Sequence, residues 1–502
     1  MVPEFGGRRA TTARSTVTAG GSPAGRPSMG PEVQRMTYEA AIDWLNHSRT
    51  RGILPGLSRT THLLAILGNP QDGLLLVHVA GTNGKGSICA CLESCLRHAG
   101  RHTGFFSSPW LLEPTEMFRI DGVPINRDRF AGLVETVAAA SRLMEPEPGL
   151  PTEYEIYAAM AFLLFQQERC TAVVLETCMG GLLDTTNAYR GPNLAVIAKI
   201  GLDHTAFLGD SIGRIARHKA GIMRPGCDAV SWPQEDEAAR VLAEAARETG
   251  SALYTMPRAA VSDIRVDARG TSFRLCLPDP EALVAGCHGE GCGEDCGEDC
   301  GEGCGEDCGE DCGEGCGAYR VSLPGAHQAG NAALAAYALV RLQRTGMVPE
   351  LTWKIIREGL AAVSWPCRFE LFAGSPPVIL DSCHNPDGVE SFVDTFRRVF
   401  PGRKAILLFG AMRDKDVAGM LDRLAGIAER FILVRPDTPR AMTLPELEAL
   451  AVRTCCATEK RATMEEALDA GLASAGPDGI LAAVGSISYV GRIRQLLSLY
   501  AR

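Results

Sequence analysis

Residues 77–87 read Val77-His78-Val79-Ala80-Gly81-Thr82-Asn83-Gly84-Lys85-Gly86-Ser87, and the reading of this run decides the fold. An apolar segment over 74–79 leads into a glycine-rich turn, and a helical pattern over 87–97, stopped by Gly100, follows it. A strand that ends in a Gly-rich loop and opens a helix can cradle phosphate. Glycines let backbone N–H groups approach phosphate oxygens, and the helix N-terminus adds the positive end of its dipole. Gly81, Thr82, Asn83, Gly84, Lys85 and Gly86 form the candidate cradle, with Lys85 able to reach the β- and γ-phosphates of ATP and the Ser87 hydroxyl able to ligate Mg2+. The strict P-loop spelling places Ser or Thr directly after the lysine, and here Gly86 intervenes. The plain alternative is a Gly-rich turn without a ligand.

Outward from this loop the pattern alternates strand and helix. Helices are expected over 36–46, 153–168 and 213–223, and short buried strands over 172–175 and 194–198. Such alternation implies right-handed βαβ units and a doubly wound parallel sheet. It restarts after Trp365-Pro366, with strands expected over 378–380, 405–409, 431–434 and 480–484. Capping-box spellings at Thr443/Glu446 and Thr463/Glu466 open two of the helices between them. The expected organisation is therefore an N-terminal domain over 36–364 and a smaller C-terminal α/β domain over 365–502. Residues 1–35, rich in Gly, Ser, Thr, Pro and Arg, read as a disordered extension.

Charge and cysteine are both distorted by one segment. The net charge is -10, but residues 286–317 hold eleven acidic residues and no Lys or Arg, so the rest of the chain sits near +1. That balance gives no basic surface to argue for nucleic acid. Eight of the 19 cysteines also fall in this insert, recurring every four residues from Cys292 to Cys316 in Gly-Glu-Asp-Cys and Gly-Glu-Gly-Cys units. The insert reads as a loop between strands expected over 273–277 and 319–323. Its thiols and carboxylates open a second reading, a metal-binding protein, although the four-residue spacing lacks the paired Cys-x2-Cys of zinc sites. Expansion of a repeated coding segment is the plain reading. The other eleven cysteines show no metal or disulfide spacing and read as buried thiols. No run of 18 apolar residues argues for a membrane span, and the default expectation is a cytoplasmic protein.

The phosphate loop resembles that of the Mur ligase superfamily, in its folylpolyglutamate synthase and dihydrofolate synthase branch. Further runs agree in order: Ser108-Pro109, Thr152-Glu153-Tyr154-Glu155, the 175–187 run from Leu175 to Asn187, Ile200-Gly201-Leu202-Asp203-His204, Lys219-Ala220-Gly221, His327-Gln328 to Asn331, Trp365-Pro366-Cys367-Arg368, and Asp381-Ser382-Cys383-His384-Asn385. The resemblance covers about residues 36–502 outside the insert. It implies a P-loop-type ATPase domain joined to a Rossmann-like domain, the Mur ligase architecture. It implies an ATP-dependent ligase adding L-glutamate to dihydropteroate or a reduced folate, acting as a monomer, with no nucleic-acid or membrane partner. Another Mur-type amino-acid ligase is the neighbouring reading.

The same resemblance assigns roles. Lys85 and the loop amides hold the triphosphate. Ser87, Glu155 and His204 hold Mg2+, and Lys219 is the candidate for a carbamylated lysine at a second Mg2+; the plain reading of Lys219 is a solvated helix residue beside Arg217. Gln328 and Asn331 lie near adenine or ribose, Arg368 and His384 contact phosphate from the second domain, and Asp381 holds nucleotide or orients the domain contact. Glu176 supports the metal site, while Asp184 and Asn187 read equally well as turn residues. Leu182, Trp110 and Met117 stand where the family often carries Arg, His and Arg, which lowers positive charge on the acceptor side.

Overall fold

The computed structural model describes residues 35–52, 54–144, 149–189, 191, 193–277 and 315–500. The expectations for the N-terminal extension and for most of the 286–317 insert therefore lie outside the described residues.

Strands β1 (Leu76–Ala80), β2 (Thr103–Phe106), β3 (Phe118–Ile120), β4 (Val123–Pro124), β5 (Ala172–Glu176), β6 (Leu194–Ile197), β7 (Asp228–Ser231) and β8 (Leu253–Thr255) form one sheet in the order β4-β3-β2-β5-β1-β6-β7-β8. All pairs from β2 to β8 are parallel, and the β3/β4 edge is antiparallel. Both faces are covered, which is why β1 and β5 read as continuous apolar runs. Alternate side chains split between the faces: Val77 and Val79 pack with helix Lys85–His98, while Leu76 packs with helices Tyr38–Arg49 and Glu153–Gln167. Ala80 and Ile197 meet a third cluster under helices Ile212–Ala220 and Asp236–Thr249.

A three-stranded antiparallel sheet of β9 (Val261–Asp267), β10 (Gly270–Leu275) and β11 (Gly317–Val321) packs on the same core. β10 and β11 are the strands expected on either side of the insert. Their pairing runs to Leu275 opposite Gly317, and the next residues, Cys276 and Cys316, are joined as a disulfide. That corrects the reading of the scattered cysteines as thiols for this one residue. Strand pairing, not sequence spacing, brings the two sulfurs together.

The third sheet holds β12 (Glu370–Phe372), β13 (Val378–Leu380), β14 (Ala405–Phe409), β15 (Ala428–Leu433), β16 (Ala457–Lys460) and β17 (Leu481–Val484), ordered β12-β13-β17-β14-β15-β16. All but β12 are parallel, and its two faces bury separate clusters. The Thr443/Glu446 capping box forms as spelled. At the other, Thr463 caps Glu466 N–H, but the Glu466 carboxylate accepts from Ala462 N–H, one residue early.

In the first sheet β1 leads toward β2 on one side and β6 toward β7 on the other. Their carboxyl ends thus flank a topological switch point, the usual place for a ligand in an open α/β sheet. The loop at Gly81 leaves β1 there, and the loop at 200–204 leaves β6 beside it.

Candidate active site

The phosphate loop is built tightly. Thr82 N–H donates to Lys199 C=O at 2.9 Å, and the Thr82 hydroxyl exchanges hydrogen bonds with Gly201. Gly84 adopts φ +87°, and a Cβ there would lie 2.5 Å from Asn331 Oδ1. Glycine is required on both counts. Asn331 Nδ2 donates to Gln328 Oε1, so the two residues expected near the nucleotide sit together against the loop. Lys85 opens helix Lys85–His98, and its Nζ donates to Gly81 C=O at 3.2 Å; Ser87 is buried two residues on.

Lys219 is only 4 % exposed, and its Nζ donates to Gly81 C=O at 2.7 Å. The plain reading of it as a solvated helix residue is wrong, whereas Arg217 does pair with Glu248 at the surface. Burial first, and then the neighbouring charge of Lys85, brings the Lys219 amine down to about 7. Glu176 ends β5 beside the loop. Burial pushes its carboxyl up to about 7, against Lys85, Arg368 and a hydrogen bond from Ser108 N–H, which favour the anion.

Glu155 is committed elsewhere. It completes a capping box with Thr152 and pairs with Arg59 at 3.0 Å. Asp184 accepts from Thr186 N–H and hydroxyl and from Met179 N–H, while Asn187 Nδ2 donates to Gly221 C=O. Both act as turn residues, tying the 178–187 loop to the helix that carries Lys219.

Arg368 arrives from the second domain on a strained segment. The non-glycine residues on either side, Cys367 and Phe369, have φ 55° and 47°. Asp381 holds that shape, because Oδ2 accepts from Phe369 N–H and Oδ1 from Cys383 N–H, both at 2.8 Å. Asp381 thus ties the backbone beside Arg368 to the segment that leads to His384. His384 is buried and brought down to about 4 by burial and Lys415, so it is neutral; Nδ1 lies 3.1 Å from Ser382 C=O and carries the proton. The neutral imidazole leaves Arg368 and Lys415 as the positive charges acting there. Asn385 Nδ2 donates to Asn83 Oδ1 at 3.1 Å, which joins the second domain to the phosphate loop directly.

Two cations are absent from the sequence-derived site. Lys415 Nζ donates to Asp203 Oδ1 at 2.6 Å across the domains. Away from the loop, Arg49 lies over the Trp110 ring at 5.5 Å and pairs with Glu153, which places a cation beside that substituted position. Lys85 and Lys219 both donate to Gly81 C=O of the loop, Lys415 pairs with Asp203 beside it, and Arg368 acts on the Glu176 carboxyl; this concentration of cations fits a polyphosphate.

Among the described residues, no group of three or more His, Cys, Asp or Glu is arranged to hold a metal. The oxygen donors available at the loop are the Ser87 hydroxyl and the Glu176 carboxylate. So few protein ligands suit Mg2+, which keeps waters and shares substrate phosphates, and do not suit a closed metal cage.

A phosphate-loop parallel sheet, facing a second α/β domain that brings an arginine into the same cleft, defines a Mur-type ligase. The comparisons agree. Residues 79–285 match the Mur ligase middle domain and residues 367–487 the Mur ligase glutamate ligase domain. The chain is 33% identical over 412 residues to the dihydrofolate synthase/folylpolyglutamate synthase of Bacillus subtilis, covering 82% of this chain and 88% of that one. It is 30% identical to the folylpolyglutamate synthase of Lacticaseibacillus casei, covering 88% and 94%. The solved structure of Mycobacterium tuberculosis folylpolyglutamate synthase complexed with ADP and AMPPCP superposes with a TM-score of 0.75 at 26% identity, over 91% of this chain and 98% of that one. The chain belongs to the folylpolyglutamate synthase and dihydrofolate synthase family of ligases.

Proposed function

We propose that this chain joins the amino group of L-glutamate to the carboxylate of a folate-type acceptor, dihydropteroate or a reduced folate, at the expense of ATP. The observation that carries this reading is that Lys85 of the loop and Arg368 of the second domain both act on the buried Glu176 carboxyl, while Asn385 of the second domain donates to Asn83 of the loop itself. A carboxylate is a poor acylating agent. Its attack on the γ-phosphorus of ATP forms an acyl phosphate and releases ADP; attack by the glutamate amine then expels phosphate as the amine loses a proton. The protein's part is alignment and charge stabilisation. Lys85 and the loop amides hold the β- and γ-phosphates from one side, and Arg368 meets the transferring group from the other. Gln328 and Asn331 hold the nucleoside end.

Ser87 and Glu176 would hold Mg2+, which would draw negative charge from the phosphates; Glu176 would take the place first expected of Glu155, whose carboxylate is held by Arg59 and Thr152. The test is ADP release with magnesium-ATP and glutamate, adding dihydropteroate and tetrahydrofolate separately. Stimulation by either supports the reading and tells which activity the enzyme has. ATP binding with no stimulation by either acceptor would refute it.

Lys219 fits the role of a carbamylated lysine. A buried amine held near neutrality adds carbon dioxide readily with loss of a proton, and the carbamate would be an anionic oxygen donor beside the loop at Gly81. Lys219→Met keeps the length of the side chain and removes a desolvated cation, so the variant should fold with unimpaired thermal stability. Ligation should fall by about 100-fold, the scale of losing one preorganised charged group, with nucleotide affinity little changed. Full activity in Lys219→Met would end this assignment.

A further inference from the structure

Lys415 lies in the 410–416 segment that leaves the carboxyl end of β14, and its own domain fixes that segment from several sides. Arg440 pairs with Asp414 at 2.7 Å, Arg413 pairs with Glu446 at 2.9 Å, Met412 bridges to Ala441, and Asp416 caps the next helix through Gly419 N–H. From this base the Lys415 side chain crosses to the first domain. The pair with Asp203 is nearly sealed, the two side chains being 10 % and 11 % exposed. Asp203 sits in the loop that leaves β6. The same Oδ1 accepts from His204 N–H at 2.8 Å, and Oδ2 lies 3.8 Å from His204 Nε2. His204 is a non-glycine residue at φ 50°, ψ 36°, a conformation that persists only where its surroundings dictate it. Most ion pairs of this chain are surface pairs of small consequence. This one is enclosed, so removing either partner strands a charge between the domains.

We propose that Lys415 is a positioning residue of the ligase reaction. By gripping Asp203 it latches the second domain onto the phosphate-loop domain and fixes the 200–204 loop, with His204, over the nucleotide cleft. The proposal rests on the reading given under Proposed function. It gives a role to the Met412–Ala441 bridge and the Asp416 helix cap that hold the run on either side of Lys415: a latch needs a rigid base. It also gives the Asn385–Asn83 contact a partner on the far side of the loop, so that closure is held at two points.

The test uses the full chain with Lys415→Met, Lys415→Arg, Asp203→Asn and the double variant Lys415→Met/Asp203→Asn. In Lys415→Met, kcat should fall at least about tenfold with KM for ATP within about threefold; thermal stability should fall as well, because Asp203 is left without its cation, and the double variant, which strands no charge, should regain it. Lys415→Arg should recover most of the loss. If Lys415 acts through Asp203, the double variant should be no slower than the slower single variant. Independently of turnover, small-angle scattering with a non-hydrolysable ATP analogue and magnesium should show the wild type contracting and Lys415→Met remaining extended. Unchanged kcat with normal contraction, or losses that multiply in the double variant, would overturn the proposal. A wild-type chain that contracts but ligates no folate would refute the functional reading and leave the latch to be judged by scattering.

Discussion

Lys85→Ala is expected to fold, to melt within a few degrees of the wild type and to release ADP about 10³-fold more slowly at saturating substrates, since one preorganised donor at a transferring group commonly contributes 10²–10³. The stability half follows from position. Lys85 is partly exposed at the first turn of its helix, where packing is carried by Ile88, Leu92 and Leu96. Its ammonium donates only to the carbonyls of Gly81 and Thr82, at 3.2 and 3.5 Å, and those are loop groups that water can serve. The activity half follows from electrostatics. Lys85 is the charge that acts at once on Glu176, Lys219 and His204, so it is the common centre of the site. Its loss leaves the growing negative charge on the leaving ADP without its cation. Lys85→Arg should restore little, because the planar guanidinium needs room that the tight loop does not offer. The measurement is steady-state ADP release beside nucleotide affinity. A loss below about tenfold, under 1.4 kcal/mol of barrier, would take Lys85 out of phosphate handling.

The strand, loop and helix around Lys85 could be read from residues 77–87 because three local signals agree there: an apolar run, clustered glycines and a helical period. β13 and β14 were legible for the same reason, being short apolar runs between turn residues. The antiparallel edge strands β3 and β4 were not. They are three and two residues long, with Val123 and Pro124 exposed, too short to show a period. Lys219 was legible as a candidate only through family resemblance, since nothing in its own helix reveals that Gly81, 138 residues away, caps its amine. Glu155 shows the opposite case. Thr152-x-x-Glu155 is the capping-box spelling, so a structural role was readable in the sequence beside the metal role. The Lys415–Asp203 pair spans 212 residues; Asp203 lies in the family run Ile200–His204 and Lys415 in the charged run Arg413-Asp414-Lys415-Asp416, and only the domain contact joins them.

Gly86→Ser would place a serine directly after Lys85, as the strict P-loop spelling does, and it is expected to damage the enzyme. Glycine is needed here by contact. A Cβ at position 86 would lie 2.9 Å from Trp365 Nε1 and 3.3 Å from its Cε2. The indole cannot give way easily, because its other surroundings hold it: the Phe105 ring centroid is 5.3 Å away and the Arg119 guanidinium lies over it at 4.7 Å. Trp365 also begins the run Trp365-Pro366-Cys367-Arg368, so a displaced indole carries the shift toward Arg368. Overpacking of this kind costs about 1–3 kcal/mol of stability. An ångström of misplacement in a group that meets the transferring phosphoryl costs on the order of 10²-fold in rate. Gly86→Ala places the same Cβ without the hydroxyl and should do equal harm, which separates the contact from any new ligand. Trp365→Leu in the Gly86→Ser background should return part of the lost stability by opening that contact. Thermal unfolding and ADP release decide the matter together. A Gly86→Ser enzyme as stable and as fast as wild type would mean that the domain linker is free to move at Trp365. In that case the precise seat of Arg368 would have to be set from Asp381 alone.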